Sequence, residues 1–335
     1  MQTNYFVTDF LNQEKLPLVV SPIAKNISLS ELLHCLREEK EFLHSHLLKY
    51  GAVLLRNCPV KNIDDFDRIV RILSPDNLLN YVGGTSPRTV VKDKIYTATD
   101  LPPSMKLLSH NEMSYVKSYP KHIYFYCDIA PEFAGETTLV SNRVVTNEID
   151  ESVKQKFQEK KIKYVHSYYE KNIIYDFINR FVKINKNWME AFETSDKSIV
   201  QERCEKQGLS VFWHKSGRLE VNNILPAFAT HPITQEFLWF NHAAIYSPQW
   251  LDEKLYEAII YRMLFYKKNL RPSSAYYGDG SQINKSVVKH ILDVYSKNTC
   301  SFRWQKGDVL LVDNILCMHG RNHYRGQRKI YVAMG

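Results

Sequence analysis

The sequence predicts an α+β chain with a mainly β core, a barrel or double sheet closed by segments far apart along the chain. Three observations carry this. Short β-branched and aromatic runs fill the stretch from Tyr81 to Val145 and return at the C-terminus. Helical periodicity lies before, between and among them. No GxGxxG or GxxxxGK(S/T) string supports a doubly wound nucleotide-binding sheet. With 335 residues, 44% hydrophobic and 24% charged, the chain can bury a substantial core as one large domain carrying an insertion.

The elements follow in order. Residues 28–50 read as one amphipathic helix: Ser28 or Ser30 caps it, Leu33, Leu36, Leu43 and Leu47 share a face, and Gly51 stops it. A buried strand at Ala52–Leu55 and a second helix over Asp64–Leu73 come next, the latter burying Phe66, Ile69, Val70 and Leu73. Strands are expected at Ile123–Cys127 and Thr137–Val140, between turns marked by Gly83–Gly84, Pro102–Pro103, Pro120 and Gly135. The Lys- and Asn-rich segment around 151–219 reads as a helical insertion within a single 1–335 domain. Helices are expected again at Gln249–Lys268 and Asn284–Asn298, then strands at Ser301–Trp304, Val309–Val312 and Ile330–Ala333.

Charge and cysteine usage exclude several classes. The net charge of +8 is spread along the chain without a polybasic tail, so no nucleic-acid partner is expected, while affinity for acidic partners stays open. No apolar stretch reaches the roughly eighteen residues of a membrane span, and the N-terminus lacks a signal-peptide core. The six cysteines form no CxxC pair, which removes a zinc ribbon and points to free thiols in the cytoplasm.

The string His110-Asn111-Glu112-Met113-Ser114-Tyr115 is the first chemical signal. A His and a Glu two residues apart on extended backbone project to one face and can meet one ion. Imidazole plus carboxylate suits Fe(II), Zn(II) or Mn(II), and a second His completes a facial triad with open positions. Twelve histidines and 36 acids make chance pairs expected, so the pair alone reads as a surface feature. The second signal is GDVLLVDN at 307–314, followed by His319-Gly320-Arg321 and, nine residues past His319, Arg328 ahead of a final strand. An Arg fork there is placed to salt-bridge a dicarboxylate beside a metal, which Lys cannot do in two-point fashion.

These strings, with YVGGTSPR at 81–88, AGETT at 134–138, WFNH at 239–242 and YGDGS at 277–281, resemble the Fe(II)/2-oxoglutarate-dependent dioxygenases of the taurine dioxygenase (TauD/TfdA) type. Within that family the chain looks most like the branch of the syringomycin hydroxylase SyrP. The resemblance implies a double-stranded β-helix (jelly roll, clavaminate synthase-like) with flanking helices. It implies iron ligation by His110, Glu112 and His319, and 2-oxoglutarate contacts from Thr137 and Arg328, with O2 as the other cosubstrate. Arg88, Tyr115, Asn241 and Arg321 are its candidate substrate contacts, and Asp313–Asn314 a turn supporting His319. The expected activity is hydroxylation of an amino acid or derivative, free or bound to an acidic carrier protein, in natural-product biosynthesis. Desaturation, cyclisation and a non-catalytic metal-binding module on the same fold are the alternatives. The branch usually continues Asn-Gln where this chain has Asn241-His242, and Glu112 fills the position that halogenases leave vacant.

Overall fold

In the computed structural model, residues 3–74, 78–79, 88–99, 101–171, 187–247 and 271–335 are described. The expected helix at Gln249–Lys268 and most of the YVGGTSPR string lie outside them.

Two sheets face each other. The larger has eight strands in the order Phe6–Phe10, Leu18–Pro22, Ala52–Leu55, Val309–Asp313, His122–Ile129, Lys329–Met334, Ile95–Thr97 and Val90–Lys92. The smaller runs Cys300–Phe302, Thr137–Ser141, Cys317–Arg321 and Leu107–His110. Neighbours in both come from distant parts of the chain: Val309–Asp313 lies antiparallel between Ala52–Leu55 and His122–Ile129. Phe125, Leu310 and Val332 of the large sheet pack on Leu139, Cys317 and Phe302 of the small one. That apolar interior holds the sheets together, each fully buried side chain contributing about 1.5–3 kcal/mol. The expected double sheet closed by distant segments is what forms.

The outer face of the large sheet is covered by helices whose ends the sequence dictates. Leu29–Glu38 begins with a capping box, the Ser28 side chain accepting from the Glu31 amide while Glu31 reaches back. Ile63–Leu73 is capped by Asn62 and buries Phe66, Ile69, Val70 and Leu73 as its spacing predicts. The single helix expected over 28–50 is instead two, Leu29–Glu38 and Lys40–Tyr50, broken at Glu39. Two pairing N-terminal strands, Phe6–Phe10 and Leu18–Pro22, were not expected at all.

The 151–219 segment is more mixed than its composition suggests. Helices at Glu151–Lys160, Trp188–Phe192 and Lys197–Lys206 are present, but so are strands at Ile162–Tyr168 and Ser210–Trp213. With Leu219–Leu225 and Ser273–Tyr277 these make a third, four-stranded sheet. The reason is local: alternation in IKYVHSY buries Ile162, Tyr164 and His166 on one face, a period-two pattern that outweighs the lysines around it. Tyr164 and Tyr277 pack with Val140 and Met318 from the outward side of the small sheet.

Candidate metal centre

The two halves of the sequence signal meet in the small sheet. His319 sits mid-strand in Cys317–Arg321, directly opposite His110 on one neighbour and Leu139 on the other. His110 closes its strand, and Glu112 lies not on extended backbone but in the turn that follows, where Met113 adopts a left-handed φ of 55°. The turn brings the carboxylate round to the imidazoles. One ligand atom from each of His110, Glu112 and His319 lies within 4.8 Å of the others, and all three residues are buried. Glu112 Oε2 stands 3.6 Å from His319 Nε2 and 4.0 Å from His110 Nε2.

What surrounds these groups prepares them as ligands. His110 Nδ1 is 2.8 Å from the Leu108 carbonyl, so that nitrogen carries the proton and Nε2 keeps its lone pair toward the cluster. Burial, reinforced by His319, pushes the His110 imidazole down to about 4 and holds it neutral. Burial alone would raise the Glu112 carboxyl. Arg88, whose Nη2 donates to Oε2 at 2.6 Å, overrides burial together with the two histidines and holds the group well below the usual carboxylate range. Both partners of that ion pair are only 4% exposed in their side chains. Two imidazoles and one ionised carboxylate on one side of a buried point fit Fe(II) with positions left open.

Asn314 secures the turn, but through Glu112 rather than His319. Its Oδ1 accepts from the Glu112 amide at 2.7 Å, and its Nδ2 donates to the carbonyls of Glu112 and Pro120. Asp313 accepts from the amides of Ile315 and Leu316 and pairs with the buried His231 at 3.0 Å.

Thr137 faces Arg321 across the strand pair and accepts from Trp304 Nε1 at 2.9 Å. Arg328 precedes the last strand, donates from Nε to the Gly135 carbonyl, and stacks over Tyr324. Burial, and then the neighbouring Arg321, pushes its guanidinium down to about 10. Among the described residues no carboxylate pairs with Arg328 or Arg321. A half-buried cation, Arg328, beside a buried one, Arg321, calls for an anion, as a dicarboxylate cosubstrate would supply.

The other expected substrate contacts divide. Arg88 pairs with Glu112. Arg321 Nη atoms are taken up by the carbonyls of Leu101, Pro102 and Met105, so its fork anchors that loop. Asn241 spends its amide on the Ala227 carbonyl and the Ala243 amide. Tyr115 is buried among His166, His242 and Tyr246 and lines a cavity of about 670 Å³. His242, where the branch usually has Gln, contacts Ser114 Oγ through Nδ1 at 2.6 Å and sets its ring edge-on to His110, centroids 5.3 Å apart. His166 was missed: no local motif marks it, and only the alternation of its strand points it inward.

Comparison with known proteins agrees with this architecture. Residues 13–334 match the family described as taurine catabolism dioxygenase TauD, TfdA family. A clavaminate synthase-like protein of Arabidopsis thaliana is 29% identical, covering 95% of this chain and 93% of its own. The dapdiamide synthesis protein DdaC of Enterobacter agglomerans is 30% identical, with 88% and 86% covered. An asparagine oxygenase solved with Fe(II), 3-hydroxyasparagine and succinate shares the fold at a TM-score of 0.52 and 10% identity, covering 90% of this chain and 79% of that one. The chain thus belongs to the TauD/TfdA family and is an Fe(II)- and 2-oxoglutarate-dependent dioxygenase.

Proposed function

We propose that this dioxygenase hydroxylates an unactivated C–H bond of an amino acid or amino-acid derivative. In this reading His110, Glu112 and His319 hold the iron, and Thr137 and Arg328 hold 2-oxoglutarate. The observation that carries it is the convergence of the three donor groups within 4.8 Å, together with Arg321 and the half-buried Arg328, which have no acid partner among the described residues. When bound, iron with 2-oxoglutarate and O2 supplies the oxidising chemistry.

The chain's own residues do the rest. The Leu108 carbonyl fixes the His110 tautomer, and Arg88 keeps Glu112 ionised and aimed at the imidazoles. Arg328 offers its fork to the far carboxylate of the cosubstrate. Thr137 accepts from Trp304 and so keeps its own hydroxyl proton for a second contact. Met113 and Tyr115, one and three residues past Glu112, line the adjoining cavity, and in this reading they help position the target carbon.

The amino-acid assignment draws on DdaC, which belongs to dapdiamide synthesis, and on the fold shared with an asparagine oxygenase. The net charge of +8 favours encounter with acidic partners, so a carrier-bound substrate is the competing case. Among the described residues no helix is long and apolar enough to cross a membrane. The six free cysteines fit a reducing compartment such as the cytoplasm.

Anaerobic Fe(II) and 2-oxoglutarate should give the weak visible absorption of an iron–keto acid chelate. His319→Ala should abolish it by removing iron. Arg328→Ala should keep iron and weaken 2-oxoglutarate binding by about tenfold or more, the loss of a charge-assisted pair. Turnover supported by zinc without oxygen would overturn the assignment.

A further inference from the structure

Two guanidiniums, one ending the strand Cys317–Arg321 and one ahead of the last strand, share a single aromatic ring. Arg321 Cζ lies 5.1 Å and Arg328 Cζ 5.7 Å from the centroid of Tyr324. The two cations repel, and among the described residues no carboxylate pairs with either. The negative face of an aromatic ring offsets such repulsion without carrying a charge of its own. An acid at this position would also hold the arginines, but it would cancel the charge that attracts an anion. A tyrosine holds them and leaves that charge in place.

The two arginines are not equivalent. Arg321 is buried, and its Nη atoms are spent on the carbonyls of Leu101, Pro102 and Met105. Arg328 is half-buried, and only its Nε has a hydrogen-bond partner among the described residues, the Gly135 carbonyl at 3.2 Å. Its two Nη atoms are left for a ligand. One hydrogen bond does not fix the plane of a guanidinium, whereas a ring against its face does. The ring is in turn fixed by backbone. Tyr324 pairs with Ala134 in a two-stranded ladder, and its amide donates to the Pro103 carbonyl at 3.0 Å. Gly135, at φ +74°, makes room for it: a Cβ there would come within 2.8 Å of Tyr324 Cβ. Gly135 therefore seats the tyrosine and ties Arg328, two residues before Thr137.

We propose that Tyr324 is a positioning residue of the cosubstrate site, its ring keeping the Arg328 fork aimed and unpaired for the far carboxylate of a dicarboxylic 2-oxo acid. This deepens the assignment of Arg328 to 2-oxoglutarate above and rests on it. Tyr324 acts through Arg328, so its contribution is confined to ligands that carry the far carboxylate. A 2-oxo acid without that group gains nothing from the ring. Arg321 adds its fixed positive charge and no fork.

The test titrates full-length protein, loaded anaerobically with Fe(II), with 2-oxoglutarate and with 2-oxovalerate. The second has the same keto-acid head and ends in a methyl group, and the iron–keto acid absorption reports both. Tyr324→Leu and Tyr324→Met should each weaken 2-oxoglutarate binding about fivefold. Both should leave 2-oxovalerate binding and iron affinity within about twofold of wild type. Tyr324→Phe keeps the ring face and should bind both 2-oxo acids as wild type does. Tyr324→Leu combined with Arg328→Ala should weaken 2-oxoglutarate binding no further than Arg328→Ala alone. If the Leu and Met variants bind 2-oxoglutarate as wild type does, the proposal is wrong. It is equally wrong if they lose both 2-oxo acids and iron in equal measure, or if the double variant is additive. Unchanged 2-oxoglutarate binding in Arg328→Ala, or no absorption in wild type, would instead strike the underlying cosubstrate reading.

Discussion

The metal turn and the wall of the neighbouring cavity are built in different ways, though Met113 and Tyr115 join them. At the metal turn most ties run to backbone, although His319 Nδ1 has no hydrogen-bond partner among the described residues. His110 leans on the Leu108 carbonyl, the Glu112 peptide is bracketed by Asn314, and His319 rides a strand paired on both sides. On the wall, His166 is held by one serine hydroxyl and aromatic edges, and the cavity edge includes an exposed helix, Lys197–Lys206. Redundant backbone ties hold ligand geometry to fractions of an ångström, as metal chemistry requires. Single side-chain contacts can change without dismantling that geometry, so selectivity can be altered on the wall while the centre stays intact.

The sharpest way to break this comparison is Asn314→Ala. It removes two donated bonds and one accepted bond, and leaves the Glu112 amide and the carbonyls of Glu112 and Pro120 without their buried partner. A loss of about 3 kcal/mol in unfolding free energy is expected, with a fall in iron affinity of about 10–100-fold. Thermal unfolding and iron titration of the purified variant check both. Wild-type values in the two assays would mean that the turn does not depend on this side chain.

The same contrast governs what could be read in the sequence. Strands such as Val309–Asp313 and Thr137–Ser141 were legible because their apolar runs sit between turn residues. The convergence of His110, Glu112 and His319 was legible because the first two stand two residues apart and HGR follows a recognisable strand. Phe6–Phe10 escaped because it is short and only Phe6 in it is buried, and the pairing with Leu18–Pro22 makes it a strand. The break at Glu39 escaped because Leu36 and Leu43 keep helical spacing across it. Asn314 was read as supporting His319, its near neighbour, while its actual partner is about 200 residues away in Glu112. Arg88 was legible as a cation near the site, but not as the ion-pair partner of Glu112. Contacts of that range depend on sheet register, which no local pattern states.

Acid sensitivity should report on the wall and the centre together. His166 and His110 are both pushed down to about 4 by burial, the latter also by His319. Between that value and the ordinary 6.5, the unfolded chain binds protons that the folded chain refuses. Stability is therefore full above about pH 6.5 and is lost as pH falls toward 4, by up to about 3 kcal/mol for each group. Denaturant unfolding of metal-free protein across this window should show the slope. His166→Gln should remove about one proton's worth, roughly 1.4 kcal/mol per pH unit, and leave the rest. An unchanged slope would mean that His166 is solvated, and the wall would then be open rather than packed.

Gly208→Ala should have the smallest effect and separates the two regions most cleanly. Gly208 has φ of +69°, a left-handed conformation that costs a non-glycine residue about 1–2 kcal/mol. The added Cβ would meet only Lys117 Nζ, the end of a flexible side chain, so the ammonium should move aside without disturbing the fold. Unfolding free energy should fall by about 1 kcal/mol, and the iron–keto acid absorption should stay as in wild type, since neither Gly208 nor Lys117 touches the metal turn. If the variant lost iron as readily as Asn314→Ala, the wall would be mechanically part of the centre and their separation would fail.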